Sequence, residues 1–309
     1  MLAAKRLCKN YGKTPALQDL DLDVGPGEVV ALLGANGAGK TTTIKMLLGL
    51  IRPSSGEATV CGFPAGHMQV RRRVGYSPES RRFHEFLTIE ETLHYYAELA
   101  GITRLRRRAE VERAMELTGL AGLRHRKAGK LSKGEAQRLS VAQSLLGDPP
   151  ILLLDEPTSG LDPVGRIAMR ELLQRCRDEG KTVLLNSHIL SDVERIGDRA
   201  IILRKGRLVW KGSIAEIVTG RQSIEVRAEA LTGEAERALV EEGFTVLRRN
   251  SCWEVSPCPA SRAPRLVALL VAAGARIQAL APKGNSLEDL FVELNGGEDN
   301  AGDHTNHGA

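Results

Sequence analysis

The sequence has no long apolar run. Of its 309 residues 42% are hydrophobic, yet no stretch of about 18 uncharged apolar residues occurs, so no membrane-spanning helix is expected. Met1-Leu2-Ala3-Ala4-Lys5-Arg6 lacks the apolar core of an export signal, so no signal peptide is expected. The five cysteines, Cys8, Cys61, Cys176, Cys252 and Cys258, have neither metal-ligand nor redox spacing and read as reduced thiols of a cytosolic chain. Neither sign of charge dominates: the formal net charge is +5. The basic clusters Arg71-Arg72-Arg73, Arg81-Arg82, Arg104–Arg108 and Arg124-His125-Arg126-Lys127 read as solvated helix faces. Their functional reading is attraction to anionic lipid headgroups or an acidic membrane partner. No nucleic-acid reading module accompanies them, so no nucleic-acid partner is expected.

What is present begins at Gly34-Ala35-Asn36-Gly37-Ala38-Gly39-Lys40-Thr41, followed by Thr42. This fits the spacing G-x-x-x-x-G-K-(S/T). The run Glu28–Leu33 before it reads as a buried strand, and Thr41–Leu48 after it as a helix start. A strand ending in a glycine turn that opens a helix points backbone N–H groups and the positive helix end into one space suited to phosphate oxygens. Glycines let the backbone approach, since a Cβ would hold it off. In such a loop Lys40 reaches the β- and γ-phosphates and the Thr41 hydroxyl ligates Mg²⁺.

Ile151-Leu152-Leu153-Leu154-Asp155-Glu156 is an apolar strand closed by two carboxylates. Its composition predicts burial on both faces, as in a parallel sheet. Asp155 is placed to hold Mg²⁺ through water beside Thr41. Glu156 is the candidate general base for an attacking water.

Leu131-Ser132-Lys133-Gly134-Glu135-Ala136-Gln137-Arg138 precedes a helical run. In isolation it is an ordinary helix start, with Ser132 as cap and Glu135 three residues on. Beside the two preceding motifs it resembles the Leu-Ser-Gly-Gly-Gln signature of ATP-binding cassette (ABC) ATPases, with Lys133 and Glu135 in place of a Gly and the Gln. The resemblance covers residues 2–220, and the other motifs fall in order. Tyr11 resembles the aromatic that stacks on adenine. Val74-Gly75-Tyr76-Ser77-Pro78-Glu79 resembles the loop that ordinarily ends in Gln, so Glu79 is a candidate Mg²⁺ contact and coupling residue. Ser159-Gly160-Leu161-Asp162 resembles the loop that crosses to a partner cassette, and His188 the switch histidine at the γ-phosphate.

The expected architecture is α/β: a P-loop NTPase of the ABC cassette type over residues 1–220, with an inserted helical subdomain at about 88–147. Residues 2–30 read as short strands. Helices are expected at Ile89–Ala100, Leu105–Thr118, Glu135–Leu146, Arg166–Cys176 and Leu190–Ile196, strands at Ile151–Asp155 and Thr182–Asn186, and a hairpin of Arg199–Leu203 with Arg207–Trp210. Beyond Thr219-Gly220-Arg221 the order strand, helix, strand, strand, helix, strand predicts a small α+β ferredoxin-like domain at 222–295. An amphipathic helix, Ser286–Leu294, closes it. The tail from 296 to 309, with His304 and His307, reads as solvated and disordered.

The resemblance implies ATP and Mg²⁺ as cofactors, and ATP hydrolysis as the activity. It implies a second cassette paired head to tail, with Ser132 and Gly134 of one copy meeting the ATP of the other. It further implies a separate transmembrane permease subunit, peripheral association at the cytoplasmic face of the cell membrane, and an exporter. The alternative is a soluble ABC ATPase outside transport. The two-cassette chains of translation factors and the coiled-coil or zinc inserts of repair proteins have no counterpart here. A nucleotide-binding regulatory module without hydrolysis is disfavoured by the Asp155-Glu156 pair.

Overall fold

A computed structural model describes residues 1–80, 82–220, 223–229, 232–249, 252–258, 260–283 and 286–296. The chain divides into two compact units, Met1–Gly212 and Ser213–Ala309.

The first unit opens with β1 (Leu2–Tyr11) and β2 (Thr14–Val24), an antiparallel pair. These are strands of 10 and 11 residues rather than the short ones expected from residues 2–30. Register shifts explain the difference. Arg6 and Asp19 sit at irregularities with φ of 45° and 47°, and each bulge breaks the in–out alternation that marks a continuous strand. β3 (Val29–Leu33) leads into α1 (Lys40–Leu47). β4 (Ser55–Val60) and β5 (Phe63–Pro64) then complete the first sheet, in the order β2-β1-β4-β5.

After the short α2 (Met68–Arg71) and β6 (Val74–Ser77) come three helices, α3 (Ile89–Leu99), α4 (Arg104–Leu117) and α5 (Lys133–Ser144). Their starts are written in the sequence. Thr88 with Glu91, and Ser132 with Glu135, form reciprocal capping boxes. Leu93, Val111, Met115 and Leu139 pack together as the core of this helical layer.

β7 (Ile151–Asp155), α6 (Pro163–Asp178), β8 (Thr182–Asn186), α7 (Leu190–Ile196), β9 (Arg199–Arg204) and β10 (Arg207–Ser213) follow. α6 begins three residues before the expected Arg166, because Asp162 caps it by accepting from the Gly165 amide and Pro163 supplies its first turn. The second sheet has the order β10-β9-β3-β8-β7-β6. Its β3, β6, β7, β8 and β9 are parallel neighbours. Every residue of β3, β7 and β8 is buried, which is why these strands are continuous apolar runs. One core, including Leu7, Leu20, Ile44, Leu153 and Ile201, joins the two sheets and α1. Each such side chain contributes about 1.5–3 kcal/mol by leaving water.

The second unit holds α8 (Ile214–Gly220), β11 (Ser223–Glu229), α9 (Gly233–Glu241), β12 (Thr245–Arg249), β13 (Cys252–Ser256), α10 (Ala263–Ala272), β14 (Arg276–Lys283) and α11 (Leu287–Gly296). Its antiparallel sheet runs β12-β13-β11-β14. Val226, Trp253, Leu239, Leu266 and Leu270 form its core. Residues 297–309, with the expected disordered tail and His304 and His307, lie outside the described residues. All five cysteines are free, and no described helix is long and apolar enough to cross a membrane.

Candidate functional site

The parallel strands converge on one edge. In register, Leu32 of β3 lies beside Asn186 of β8, Asn186 beside Asp155 of β7, and Leu154 beside Ser77 of β6. The carboxyl ends of four strands therefore deliver residues 34–41, His188, Asp155-Glu156 and Glu79 to the same rim, where ligands of open α/β sheets are bound.

The loop after β3 is shaped by glycine. Gly34 has φ 152°, and a Cβ there would lie 2.4 Å from the Leu203 carbonyl oxygen. Gly39 has φ 104°, and its Cβ would lie 2.7 Å from the Ala16 oxygen. No side chain caps α1 at Gly39, so the first-turn N–H groups face a space where an anion can take them. Ala35, Asn36 and Gly37 are exposed, Ala38 and Lys40 are buried, and Thr41 and Thr42 are half-buried. The Lys40 ammonium donates to the carbonyls of Gly34 at 2.6 Å and Ala35 at 3.2 Å. Burial lowers its pKa, against the opposing charges of Glu156, Asp155 and Glu79.

The Thr41 hydroxyl donates to Asp155 Oδ2 at 3.0 Å. The other carboxylate oxygen of Asp155, Oδ1, accepts from Asn186 Nδ2 at 2.9 Å. Next to it, Glu156 adopts φ 54°, a strained conformation for a residue with a Cβ. Its amide bonds to the Asn186 carbonyl at 3.1 Å. Its carboxylate Oε2 lies 2.7 Å from His188 Nδ1. The Glu156 side chain is 10% exposed and that of His188 58%, so the pair spans from the interior to solvent. Burial raises the Glu156 pKa, while His188 and Lys40 pull it back.

The structure thus brings together Lys40, Thr41, Asp155, Glu156 and His188. Glu79 is exposed, and its charge is felt at Lys40 and at Tyr76, whose hydroxyl is pushed up to about 12 by burial and then by Asp155 and Glu79. Of the two arginines that follow Glu79, Arg81 lies outside the described residues. Tyr11 is 51% exposed at the end of β1, with the Lys9 ammonium 5.2 Å from its ring centroid. Ser132 accepts from the Glu135 amide, and Glu135 also pairs with Arg126 at 2.8 Å. Neither Ser132 nor Gly134 bonds to residues 34–42 among the described residues.

Two contacts went unread in the sequence. Asn186 is the sole polar side chain among the last four residues of β8, a signal that its amide has a buried partner. Ser77 on β6 and Ser140 on α5 share a buried hydrogen bond of 2.8 Å, which no local pattern announces.

Residues 17–159 match the ABC transporter family. An uncharacterized ABC transporter ATP-binding protein of Synechocystis sp. is 40% identical over 91% of this chain and 78% of its own. The chain belongs to the ABC transporter ATP-binding family. It is an ABC cassette ATPase, and ATP-binding subunits of this family work with membrane subunits. The Nod factor export ATP-binding protein I of Cupriavidus metallidurans is 33% identical over 96% of this cassette and 98% of its own chain. A solved ATP-binding subunit of an ABC transporter superposes with TM-score 0.65 at 33% identity, over 70% of this chain and 91% of that one. The dimeric bacterial cassette MJ0796 superposes with TM-score 0.65 at 26% identity, over 69% and 99%.

Proposed function

We propose that this cassette is the ATP-hydrolysing subunit of an exporter. It closes head to tail on a second copy around ATP and reopens on hydrolysis, driving a separate membrane-spanning subunit at the cytoplasmic face of the cell membrane. The observation that carries the reading is a double pairing at one sheet edge. Thr41 meets Asp155 at 3.0 Å and Glu156 meets His188 at 2.7 Å, both beside the loop that ends in Lys40.

In this reading Gly34–Thr42 cradle the triphosphate, and Lys40 leaves its loop carbonyls for the β- and γ-phosphates. Tyr11, half exposed, stacks on adenine. The Thr41 hydroxyl and the Asp155 carboxylate are hard oxygen donors already in contact, which fits Mg²⁺. Among the described residues no group of three His, Cys, Asp or Glu could hold a metal by itself, so Thr41 and Asp155 would hold it only together with oxygens from outside the protein. When bound, Mg²⁺ offsets phosphate charge. Glu156 accepts a proton from the attacking water, and His188 orients its carboxylate and meets the γ-phosphate. Ser132 and Gly134 reach the nucleotide of the second copy.

Glu79 contributes a carboxylate at the rim and links the site to the membrane subunit. A cleft of about 780 Å³ runs from β6 to the helical layer, lined by Arg72, Tyr76, Leu99, Arg106 and Gln143, and offers that subunit a seat. The relatives that bear the words "Nod factor export" support the outward direction. The second unit, Ser213–Ala309, is an accessory domain.

The test is Glu156→Gln in the full chain, with light scattering after size exclusion. ATP should drive it to a dimer that ADP does not support, and Lys40→Ala should abolish ATP binding. Monomers at saturating Mg-ATP would refute head-to-tail closure. Purification from its native membranes without an integral membrane protein would favour the soluble alternative.

A further inference from the structure

Lys133 stands where the family signature ordinarily has a glycine; it is exposed, but its stem lies against the chain. It folds back across Gly160. A Cβ built on Gly160 would lie 2.5 Å from Lys133 Cε and 2.8 Å from Nζ. Gly160 has φ 73°, a conformation that favours glycine, and the lysine stem lies over the space a Cβ would fill. Beside it, Gly134 faces Leu161, whose Cδ2 lies 3.3 Å from a Cβ built on Gly134. Two successive residues at the start of α5 thus rest on two successive residues of the loop after β7.

That loop is short and closed by turn hydrogen bonds. The Ser159 amide bonds to the Glu156 carbonyl at 3.2 Å, and the Leu161 amide to the Thr158 carbonyl at 3.4 Å. Asp162 then fixes its far end by capping α6. A displacement at Gly160 has little chain to absorb it before Glu156, which is itself held at φ 54°. The Lys133 ammonium has no carboxylate partner among the described residues. Glu135, the nearest acid in sequence, is occupied by Arg126 and by the Ser132 amide.

We propose that Lys133 is a positioning residue that latches the Ser159–Asp162 loop of its own protomer, and that the triphosphate held by a second copy releases the latch by drawing the ammonium away. The proposal rests on the head-to-tail pairing above. It makes the conformation of Glu156 in one copy depend on whether the other copy's nucleotide is in place. Gly160 supplies the groove, the lysine stem the contact, and the unpaired charge the sensitivity to an anion. A glycine at position 133 would leave the loop without this link.

The stem and the charge can be separated. Lys133→Met keeps a chain over Gly160 but cannot answer an anion. Lys133→Gly removes both, and Lys133→Arg keeps both. ATPase rate against ATP concentration, measured on the purified full chain, gives a Hill coefficient with a ceiling of about 2 for two coupled sites. Closure around two nucleotides couples the sites by itself, so with the latch wild type and Lys133→Arg show the higher coefficient, and Lys133→Gly a lower one that stays above about 1. Lys133→Met stays latched, so its kcat drops about tenfold or more, while a fluorescent ATP analogue still binds at full stoichiometry with a Kd within about twofold, which a partly unfolded preparation would not give. Wild-type Hill coefficient and kcat in both Lys133→Gly and Lys133→Met would overturn the latch. The ATP-dependent dimer of Glu156→Gln is measured in parallel. If the dimer forms and the Lys133 variants are unaltered, the latch alone fails. If no dimer forms, the pairing and the latch fall together.

Discussion

Replacing Asn186 tests how the acidic strand is held ready. Asn186 is fully buried, and its amide is a partner of Asp155, which is 2% exposed. The carboxylate is gripped on two sides, Oδ1 by Asn186 and Oδ2 by Thr41, so the amide fixes the rotamer that aims Oδ2 at the phosphate loop. In Asn186→Leu, of the same branching but larger, Asp155 loses a hydrogen bond of the charged kind, worth about 1.5–3 kcal/mol. Its affinity for Mg-ATP should fall by about 10- to 100-fold, since each 1.4 kcal/mol is a factor of about ten. Asn186→Asp is harsher. Two carboxylates about 2.9 Å apart repel by about 6 kcal/mol at an effective dielectric of about 20, so one must take up a proton. That variant should recover part of its binding and stability as the pH is lowered, whereas Asn186→Leu should not. The assays are equilibrium binding of a fluorescent ATP analogue with Mg²⁺ from pH 5.5 to 8, and urea unfolding over the same range. If Asn186→Leu binds and unfolds like wild type, Asp155 needs no buried orienting partner and the reasoning is wrong.

Glu156 has a raised pKa in the folded chain, so its ionisation opposes folding: the stability associated with its neutral form is present at low pH and lost as the pH rises through the folded pKa. Glu156→Gln should therefore be more stable than wild type at pH 7.5 by urea unfolding, with the difference shrinking below pH 5, while its kcat falls by about 10²- to 10⁴-fold, the usual share of a general base. Gly75→Ala would place a Cβ 1.9 Å from the Ser144 carbonyl oxygen, forcing β6 and α5 apart. A loss of about 1–3 kcal/mol or more is expected in denaturant midpoints, and an unaltered midpoint would contradict the packing. Arg170 pairs with Asp192 at 2.6 Å, and the Asp192 side chain is 3% exposed. Arg170→Met should cost about 3–5 kcal/mol by leaving that carboxylate buried without its cation, and Arg170→Met/Asp192→Leu should recover much of the loss.

What the sequence displays and what it conceals differ by physical cause. The phosphate loop is legible because every element of it is local: an apolar strand, glycines where φ is positive, and an uncapped helix start follow one another along the chain. The acidic strand is legible for the same reason, as a strand buried on both faces cannot carry charge except at its end. The caps at Thr88 and Ser132 are readable because each has its Glu partner three residues on, whereas Asp162 has none and the sequence pattern starts its helix only at Arg166. Contacts between strands are not local. Asn186 meets Asp155 only because parallel register puts residues 31 positions apart side by side, and the one trace of this is a polar residue ending an apolar run. The bulges at Arg6 and Asp19 hid two long strands by breaking the alternation by which strands are recognised. Lys133 reads, residue by residue, as a departure from the family signature. Its meaning needs Gly160, 27 positions on, whose missing Cβ makes room for the lysine stem. A substitution that weakens a motif when the motif is read alone can therefore be one half of a fitted pair, and the other half is found only where the fold returns the chain to it.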